Sequence, residues 1–239
     1  MRNKTNIILF ILFSLLILAS CGKDTPGYMD MRELIYGGEF SESDIPSYEG
    51  EIYTVLNGNE PHFTVKNLNY GEYEFYSPLD KLSRAGVCFA VIGEGSMPTE
   101  ERESIGMIKP SGWHTVRYDD IIEGKYLYNR CHLIGYQLTG ENANEKNLIT
   151  GTRHFNVEGM LPFENKVASY IKKSGNHVFY RVTPIYKGND LVACGVVIEA
   201  YSVEDNGEGI CFNVFVHNIQ PGIVIDYSTG ESTASSKMQ

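Results

Sequence analysis

Asn129-Arg130-Cys131-His132 is the stretch that decides how this chain folds and what chemistry it can perform. Asn156 follows His132 by 24 residues, and Glu164 follows Asn156 by eight residues. Neutral imidazole accepts a proton near physiological pH, and a guanidinium group binds an oxyanion. Amide and carboxylate oxygens are ligands that hard divalent cations prefer. The stretch and the polar residues after it therefore supply the groups that a one-metal hydrolytic site needs.

Hydrolysis of a phosphodiester requires a base that activates water, a cation that receives charge on the phosphoryl and leaving oxygens, and in-line geometry. We assign these three roles to His132, Asn156 and Arg130. His154 is the alternative base, because it lies two residues before Asn156. The pattern predicts a one-metal nuclease site.

The regions that follow have the composition of strands and one helix. Strand-like segments rich in β-branched and aromatic residues predict two hairpins, the first from residues 177–185 and 191–201 and the second from 210–218 and 223–227. Apolar residues at three- and four-residue spacing predict a helix around residues 160–171 that packs on the sheet. Pro162 either begins this helix or kinks it.

The N-terminus has the features of an export signal. Arg2 and Lys4 precede the apolar run 7–18, which is short for a permanent membrane span. Leu18-Ala19-Ser20-Cys21 resembles a bacterial lipobox, in which cleavage before the cysteine leaves a lipid on Cys21. An ordinary signal peptide with a chance cysteine is the alternative. We expect a signal peptide at 1–20, a lipid-anchored tether at 21–48, one folded domain at 49–228 and a flexible tail at 229–239.

Charge and cysteine content limit the possible partners and ligands. The formal net charge is −10, whereas nucleic-acid-binding proteins usually present a basic face. Residues 129–173 differ, with six basic and four acidic side chains, and acidic segments such as 100–103 are expected on other faces. Four cysteines follow Cys21 without CxxC spacing, so that one disulfide and buried free thiols are both open: Cys88, Cys131, Cys194 and Cys211.

Residues 50–227 resemble the DNA/RNA non-specific endonucleases of the ββα-metal (His-Me finger) superfamily, in the secreted or surface-bound branch from Gram-positive bacteria. The family motif Asp-Arg-Gly-His stands here as Asn129-Arg130-Cys131-His132. The resemblance implies an α+β fold, with a central antiparallel sheet, packed helices and a ββα-metal motif. Asn129 retains the hydrogen bonds of an aspartate but not its charge, and Cys131 requires ordinary backbone angles where the family has glycine.

The resemblance also implies roles for individual residues. His132 matches the general base and Asn156 the metal ligand, with Mg²⁺ as the expected ion and Mn²⁺ as the alternative. Glu164 would act on the metal through water, and Asn147 and Asn129 would support the site by hydrogen bonding. The structural alternatives are a helix N-cap for Asn156 and a solvated first-turn glutamate for Glu164.

Two arginines match the phosphate contacts of the family. Arg130 lies in the motif itself, and Arg84 lies upstream of it. The alternative for Arg84 is an ordinary surface arginine without a role in the site. The implied course is a single step in which His132 takes a proton from water and the products carry 5′ phosphates. No 2′-hydroxyl is needed, so DNA and RNA are both expected substrates.

The expected protein is an enzyme anchored by lipid to the outer face of the bacterial cytoplasmic membrane, with nucleic acid and the membrane as partners and no protein partner. The competing interpretation is a non-catalytic surface lipoprotein that binds nucleic acid or another polymer, since Asn129 and Cys131 depart from the motif. A transition-metal site at Cys131 and His132 is a further alternative, although no second ligand pair stands at zinc spacing.

Overall fold

Six antiparallel strands form the central sheet of the computed structural model, which describes residues 31–38, 40–63 and 71–236. Cys88–Ile92 is buried at every position, because this strand lies inside the sheet and both of its faces are covered. The predicted α+β class with a central antiparallel sheet is confirmed. In spatial order the strands are β1 (Tyr53–Val55), β8 (Cys211–His217), β7 (Gly195–Ser202), β6 (Val178–Ile185), β3 (Cys88–Ile92) and β2 (Tyr73–Tyr76).

A second, two-stranded sheet carries the motif residues. In this sheet β4 (Tyr128–His132) pairs antiparallel with β5 (Leu148–Thr152), and His132 lies opposite Leu148. The connection contains the short helix α2 (Tyr136–Thr139) and a 3₁₀ turn at Glu145–Asn147. After β5 the chain enters a helical segment, so that two strands and a helix form the predicted ββα unit.

The helical segment begins with a π-helical turn at Phe155–Met160 and continues as α3 (Leu161–Ser174). Pro162 lies in the first turn of α3, directly after the π-turn, so the regular α-helix begins at this proline. Gly175 ends the helix with a φ of +70°, and its N–H donates to the carbonyl of Ile171. The buried face of α3, with Val167, Ala168 and Ile171, packs against the central sheet.

The opposite face of the central sheet is covered by the segment before β2. Leu34 and Ile35 of α1 (Met31–Tyr36) are buried in one cluster with Phe89 and Phe179. Residues 31–38 and 40–48 were expected to belong to the tether, and the burial of α1 corrects this for the described part: apolar side chains there dock on the sheet. Further 3₁₀ turns stand at Glu42–Asp44 and Asn57–Asn59. Residues 1–20 and Cys21 lie outside the described residues.

The second predicted hairpin is wrong in its pairing. The edge of β8 is taken by β1, so that β9 (Ile223–Ile225) pairs instead with β10 (Ser232–Ala234). The tail was expected to be flexible from residue 229, but β10 lies within it, so this boundary was placed too far upstream. The carbonyl of Gly230 also accepts a hydrogen bond of 2.9 Å from the Tyr128 hydroxyl.

The four described cysteines are free thiols, with Cys88 and Cys131 fully buried. Cys131 lies on the core side of β4, next to Gly151 of β5. A β-carbon placed on Gly151 would lie 2.5 Å from the Cys131 sulfur and 2.7 Å from a carbon of the Phe155 ring. Within the described ranges, no helix has the length and apolar character needed to cross a membrane.

Candidate active site

His132 is the last residue of β4, and its two ring nitrogens have different environments. Nε2 lies 2.8 Å from the carbonyl oxygen of Asn142. Because a carbonyl only accepts, the hydrogen of the neutral ring resides on Nε2 and the lone pair on Nδ1. A guanidinium N–H of Arg102 donates to this lone pair at 3.3 Å. Nδ1 is therefore the atom that can act as a base once Arg102 releases it.

The environment of His132 keeps the ring neutral. Burial lowers the pKa of His132 to about 4, and the positive charge of Arg102 acts in the same direction, against the carbonyl of Asn142. The residue exposes 6% of its surface. A neutral imidazole at physiological pH is the form that accepts a proton from water.

Asn156 lines the same cavity as His132. It lies in the π-helical turn, where its carbonyl accepts from the N–H of Leu161 five residues later. A π-turn is a local departure from α-helical geometry that is frequent at functional sites. The N-cap alternative for Asn156 does not hold, because the residue is already inside the helical segment and His154 precedes the π-turn. His154 does not line this cavity.

Glu164 reaches the cavity from the first turn of α3. The residue is buried, with 8% of its surface exposed, and its carboxylate occupies the space that a β-carbon on Gly135 would need. Burial raises the pKa of Glu164 to about 7, although Gln137 and Arg102 oppose the shift. The alternative of a solvated glutamate is therefore wrong.

The oxygen donors of this cavity suit a hard cation. Its volume is about 210 Å³, and Asn156 contributes an amide oxygen while Glu164 contributes a carboxylate. Among the described residues no cluster of three or more His, Cys, Asp and Glu side chains stands at metal-binding geometry. A site with so few protein ligands must keep waters or bind substrate oxygens. The Cys131 and His132 alternative loses support, because the thiol is fully buried and both ring nitrogens have partners.

Asn147 holds the loop that follows His132. Its side chain is fully buried, accepts from the N–H of Ile134 and donates to the carbonyl of Ile134, both at 2.9 Å. Its own carbonyl accepts from the N–H of Leu133 at 2.9 Å. These bonds fix the backbone direction directly after the histidine. Asn129 instead lines a neighbouring cavity.

The two predicted arginines have different positions. Arg130 lines both the cavity of His132 and the neighbouring cavity. Its guanidinium lies 4.0 Å from the centre of the Trp113 ring and donates to the carbonyls of Gly106 and Ile108. Arg84 lines neither this cavity nor its neighbour.

The guanidinium of Arg84 is already engaged elsewhere. It contacts the Asp80 carboxylate at 2.7 Å and the carbonyls of Gly188 and Asp190 at 2.9 Å each. Its charge and its donors are therefore used to fasten two loops, and the structure does not bring Arg84 together with the other predicted residues.

Arg102 stands where the second arginine was expected, and sequence reasoning missed it. It lies in Glu100-Glu101-Arg102-Glu103, which counts as an acidic segment when its charges are averaged. The segment was expected on another face, yet it borders the cavity, and the Tyr136 hydroxyl holds it by donating to the carbonyl of Glu100 at 2.9 Å. A single cation among three carboxylates was the available signal.

Comparisons with known proteins identify the family to which this fold belongs. The family model described as DNA/RNA non-specific endonuclease matches residues 64–204. A deoxyribonuclease from Streptococcus dysgalactiae subsp. equisimilis is 36% identical over 111 residues, which make up 44% of this chain and 32% of that protein. The matched region thus spans about a third of that relative.

Two solved structures show the same fold. NucA from Streptococcus agalactiae with magnesium bound has a TM-score of 0.67 at 27% identity, over 76% of this chain and 87% of that one. The Sda1 nuclease with bound zinc has a TM-score of 0.63 at 28% identity, over 77% of this chain and 97% of that one. The family match covers more than half of the sequence, and the chain belongs to the DNA/RNA non-specific endonuclease family.

Proposed function

We propose that this chain is an exported, metal-dependent endonuclease that hydrolyses phosphodiester bonds in both DNA and RNA. The observation that carries the proposal is the arrangement of one cavity. His132 contributes an Nδ1 lone pair, Arg102 and Arg130 contribute positive charge, and Asn156 and Glu164 contribute oxygen ligands. These are the groups that phosphodiester hydrolysis requires.

The base and the arginines act together in the proposed step. A substrate phosphate draws the Arg102 guanidinium away from His132, because an oxyanion is a stronger acceptor than a neutral ring nitrogen. The freed Nδ1 takes a proton from a water, and the water oxygen attacks phosphorus. The bond from phosphorus to the 3′ oxygen breaks, and the leaving oxygen acquires a proton from solvent. The products are a 5′ phosphate and a 3′ hydroxyl.

Asn156 would hold the metal directly, and Glu164 would hold one of its waters. When bound, Mg²⁺ supplies charge stabilisation for the phosphoryl and leaving oxygens. Mn²⁺ is the alternative ion, since it accepts the same oxygen ligands. Asn147 orients the backbone behind His132, and the amide of Asn129 supports the adjoining cavity wall without adding negative charge.

The proposed localisation of the protein rests on its N-terminal sequence. The signal at 1–20 and the lipobox ending in Cys21 support lipid anchoring to the outer face of the bacterial cytoplasmic membrane. With α1 docked on the sheet, the folded domain extends upstream of residue 49. Labelled palmitate is expected on the wild-type chain and not on Cys21→Ala; label that persists on the variant contradicts the anchor.

Digestion of supercoiled plasmid and of RNA at low salt tests the proposed activity. Residues 22–239 are expected to cut both substrates with Mg²⁺, and EDTA is expected to stop cleavage. His132→Ala should lose activity by about 10²-fold or more, the range of general base catalysis. His154→Ala is the matched control and should stay within twofold. Intact substrates with the wild-type protein would favour the non-catalytic binding lipoprotein.

A further inference from the structure

We infer that the cavity beside the catalytic one binds a single unpaired nucleobase of the substrate, stacked on Tyr126. The inference rests on the proposed nuclease function and assigns a second subsite to it. The cavity has a volume of about 480 Å³, within the roughly 300–1,000 Å³ typical of small-ligand sites. Arg102, Arg130 and Asn156 line both cavities, so the two spaces adjoin. A phosphate in the first therefore places a neighbouring nucleoside in the second.

Of the three aromatic residues that line this cavity, Trp113, Tyr126 and Tyr128, Tyr126 has the most exposed ring. The residue is 47% exposed, and the Arg117 guanidinium covers the ring at 5.3 Å from its centre. Arg117 is held in turn by Asp119 at 2.8 Å and by a backbone bridge to Tyr126. A tyrosine ring that is already ordered loses little conformational freedom when a base stacks on it. Stacking on an aromatic side chain accepts any base, because every base has a π-face.

The remaining lining offers a nucleotide positive charge and hydrogen-bonding groups. No carboxylate lines this cavity among the described residues, although the protein is acidic overall. The Trp113 indole N–H is buried without a hydrogen-bond partner in the described structure, and Trp113 lines the cavity. The side chains of Asn129 and Thr115 add hydrogen-bonding groups to the wall. A base that enters this space meets a stacking ring, polar groups and positive charge.

Such a subsite binds a base that is not paired with another base. The bases of an intact duplex already stack on one another, so Tyr126 contributes mainly on single strands or on locally opened ones. The subsite thus imposes a positional requirement on the substrate: one base at a fixed distance from the bond that is cut.

Single-stranded oligonucleotides with one abasic position test this requirement. The full chain, solubilised in detergent, is given a set of oligonucleotides in which the abasic position moves along the strand, and kcat/KM is measured for each bond. With wild type we expect cleavage about tenfold slower when the abasic position stands at one fixed offset from the bond. Tyr126→Ala should cut every bond at this slower rate, without any further effect of the abasic position.

Two variants act as controls. Tyr126→Phe keeps the ring and should retain the abasic effect. Tyr48→Ala removes an equally exposed tyrosine elsewhere, since Tyr48 also has 47% of its surface accessible, and should behave as wild type. Equal rates for wild type and Tyr126→Ala on the abasic offset show that the variant is folded.

The possible failures are distinguishable. Wild-type cleavage that ignores every abasic position overturns the subsite and leaves the nuclease function intact. An abasic effect that persists in Tyr126→Ala also overturns it. A wild-type chain that cuts no oligonucleotide contradicts the proposed function and this inference with it.

Discussion

Glu164 is a carboxyl group that folding removes from water. Its pKa rises to about 7 from an ordinary value near 4.5, because burial disfavours the ionised form. The folded state therefore binds the proton more tightly than the unfolded state. The resulting stability is complete below about pH 4.5 and is lost as the pH rises through about 7.

Glu164→Gln should remove this pH dependence. In EDTA, we expect the variant and wild type to have similar free energies of unfolding at pH 4.5. At pH 8.5 the variant should be more stable, by up to roughly 3 kcal/mol, because it has no buried charge. Urea unfolding at several pH values measures the difference. Parallel pH profiles for the two proteins would contradict the burial argument.

Arg102 and Arg84 form a matched pair for testing which arginine serves the site. Arg102→Gln should lower kcat/KM by about 10²-fold or more, as removal of one charge-stabilising donor does in other enzymes. Since Arg102 also lowers the pKa of His132, the acid limb of the rate profile should move to higher pH in this variant.

Arg84→Gln should keep the rate within about twofold and lose stability, because Arg84 fastens loops through Asp80, Gly188 and Asp190. A loss of rate in Arg84→Gln as large as that in Arg102→Gln would restore the original assignment. The structure brings together His132, Asn156 and Glu164, which sequence reasoning had grouped. Sequence reasoning could not choose between Arg84 and Arg102, because the reach of a long side chain depends on the path of its loop.

The contact between β4 and β5 shows how an element accommodates a departure from the family motif. Cys131 places a sulfur where the motif has glycine, and this sulfur occupies the space beside Gly151. The two residues are therefore complementary: one side chain is present and the other is missing. This reciprocity crosses two strands and is not visible in the motif alone.

Gly151→Ala should destabilise the protein by about 1–3 kcal/mol, the usual cost of overpacking. Replacing Cys131 by glycine in the same chain should restore part of that loss, because it frees the space that the new methyl group needs. Urea unfolding of both single variants and the double variant gives the coupling between the positions. Additive losses would show that the Phe155 ring, not the Cys131 sulfur, limits the space.

Sequence patterns predicted elements better than the contacts between them. The helical stripe and the strand compositions led to α3, β6, β7 and β8, since these periodicities are local. The predicted partner of β9 was wrong, because the edge of β8 is occupied by β1, which is distant from β8 in the sequence. The π-turn that carries Asn156 was also missed, since nothing in residue spacing distinguishes it from an α-helix.

At the scale of the whole molecule, net charge and local charge oppose each other. The chain has a formal charge of −10, and a polyanionic substrate is repelled by such a surface at long range. Docking of α1 on the sheet could not be predicted from the sequence either. Charge and low periodicity describe the segment itself, and they do not show that the segment covers an apolar face of the sheet.

The salt dependence of substrate binding measures how many cations contact phosphate. If Arg102 and Arg130 are the two contacts, log(1/KM) for single-stranded DNA should fall with log[KCl] with a slope of about −1.4, that is, about −0.7 for each contact. Arg102→Gln should reduce the slope by about 0.7, whereas Arg84→Gln should leave it unchanged. Steady-state kinetics at constant Mg²⁺ between about 50 and 200 mM KCl provide the measurement. A slope of about −2 or steeper would require at least one phosphate contact beyond the two arginines, at about −0.7 for each contact. A slope near zero would mean that neither arginine binds phosphate in the ground state.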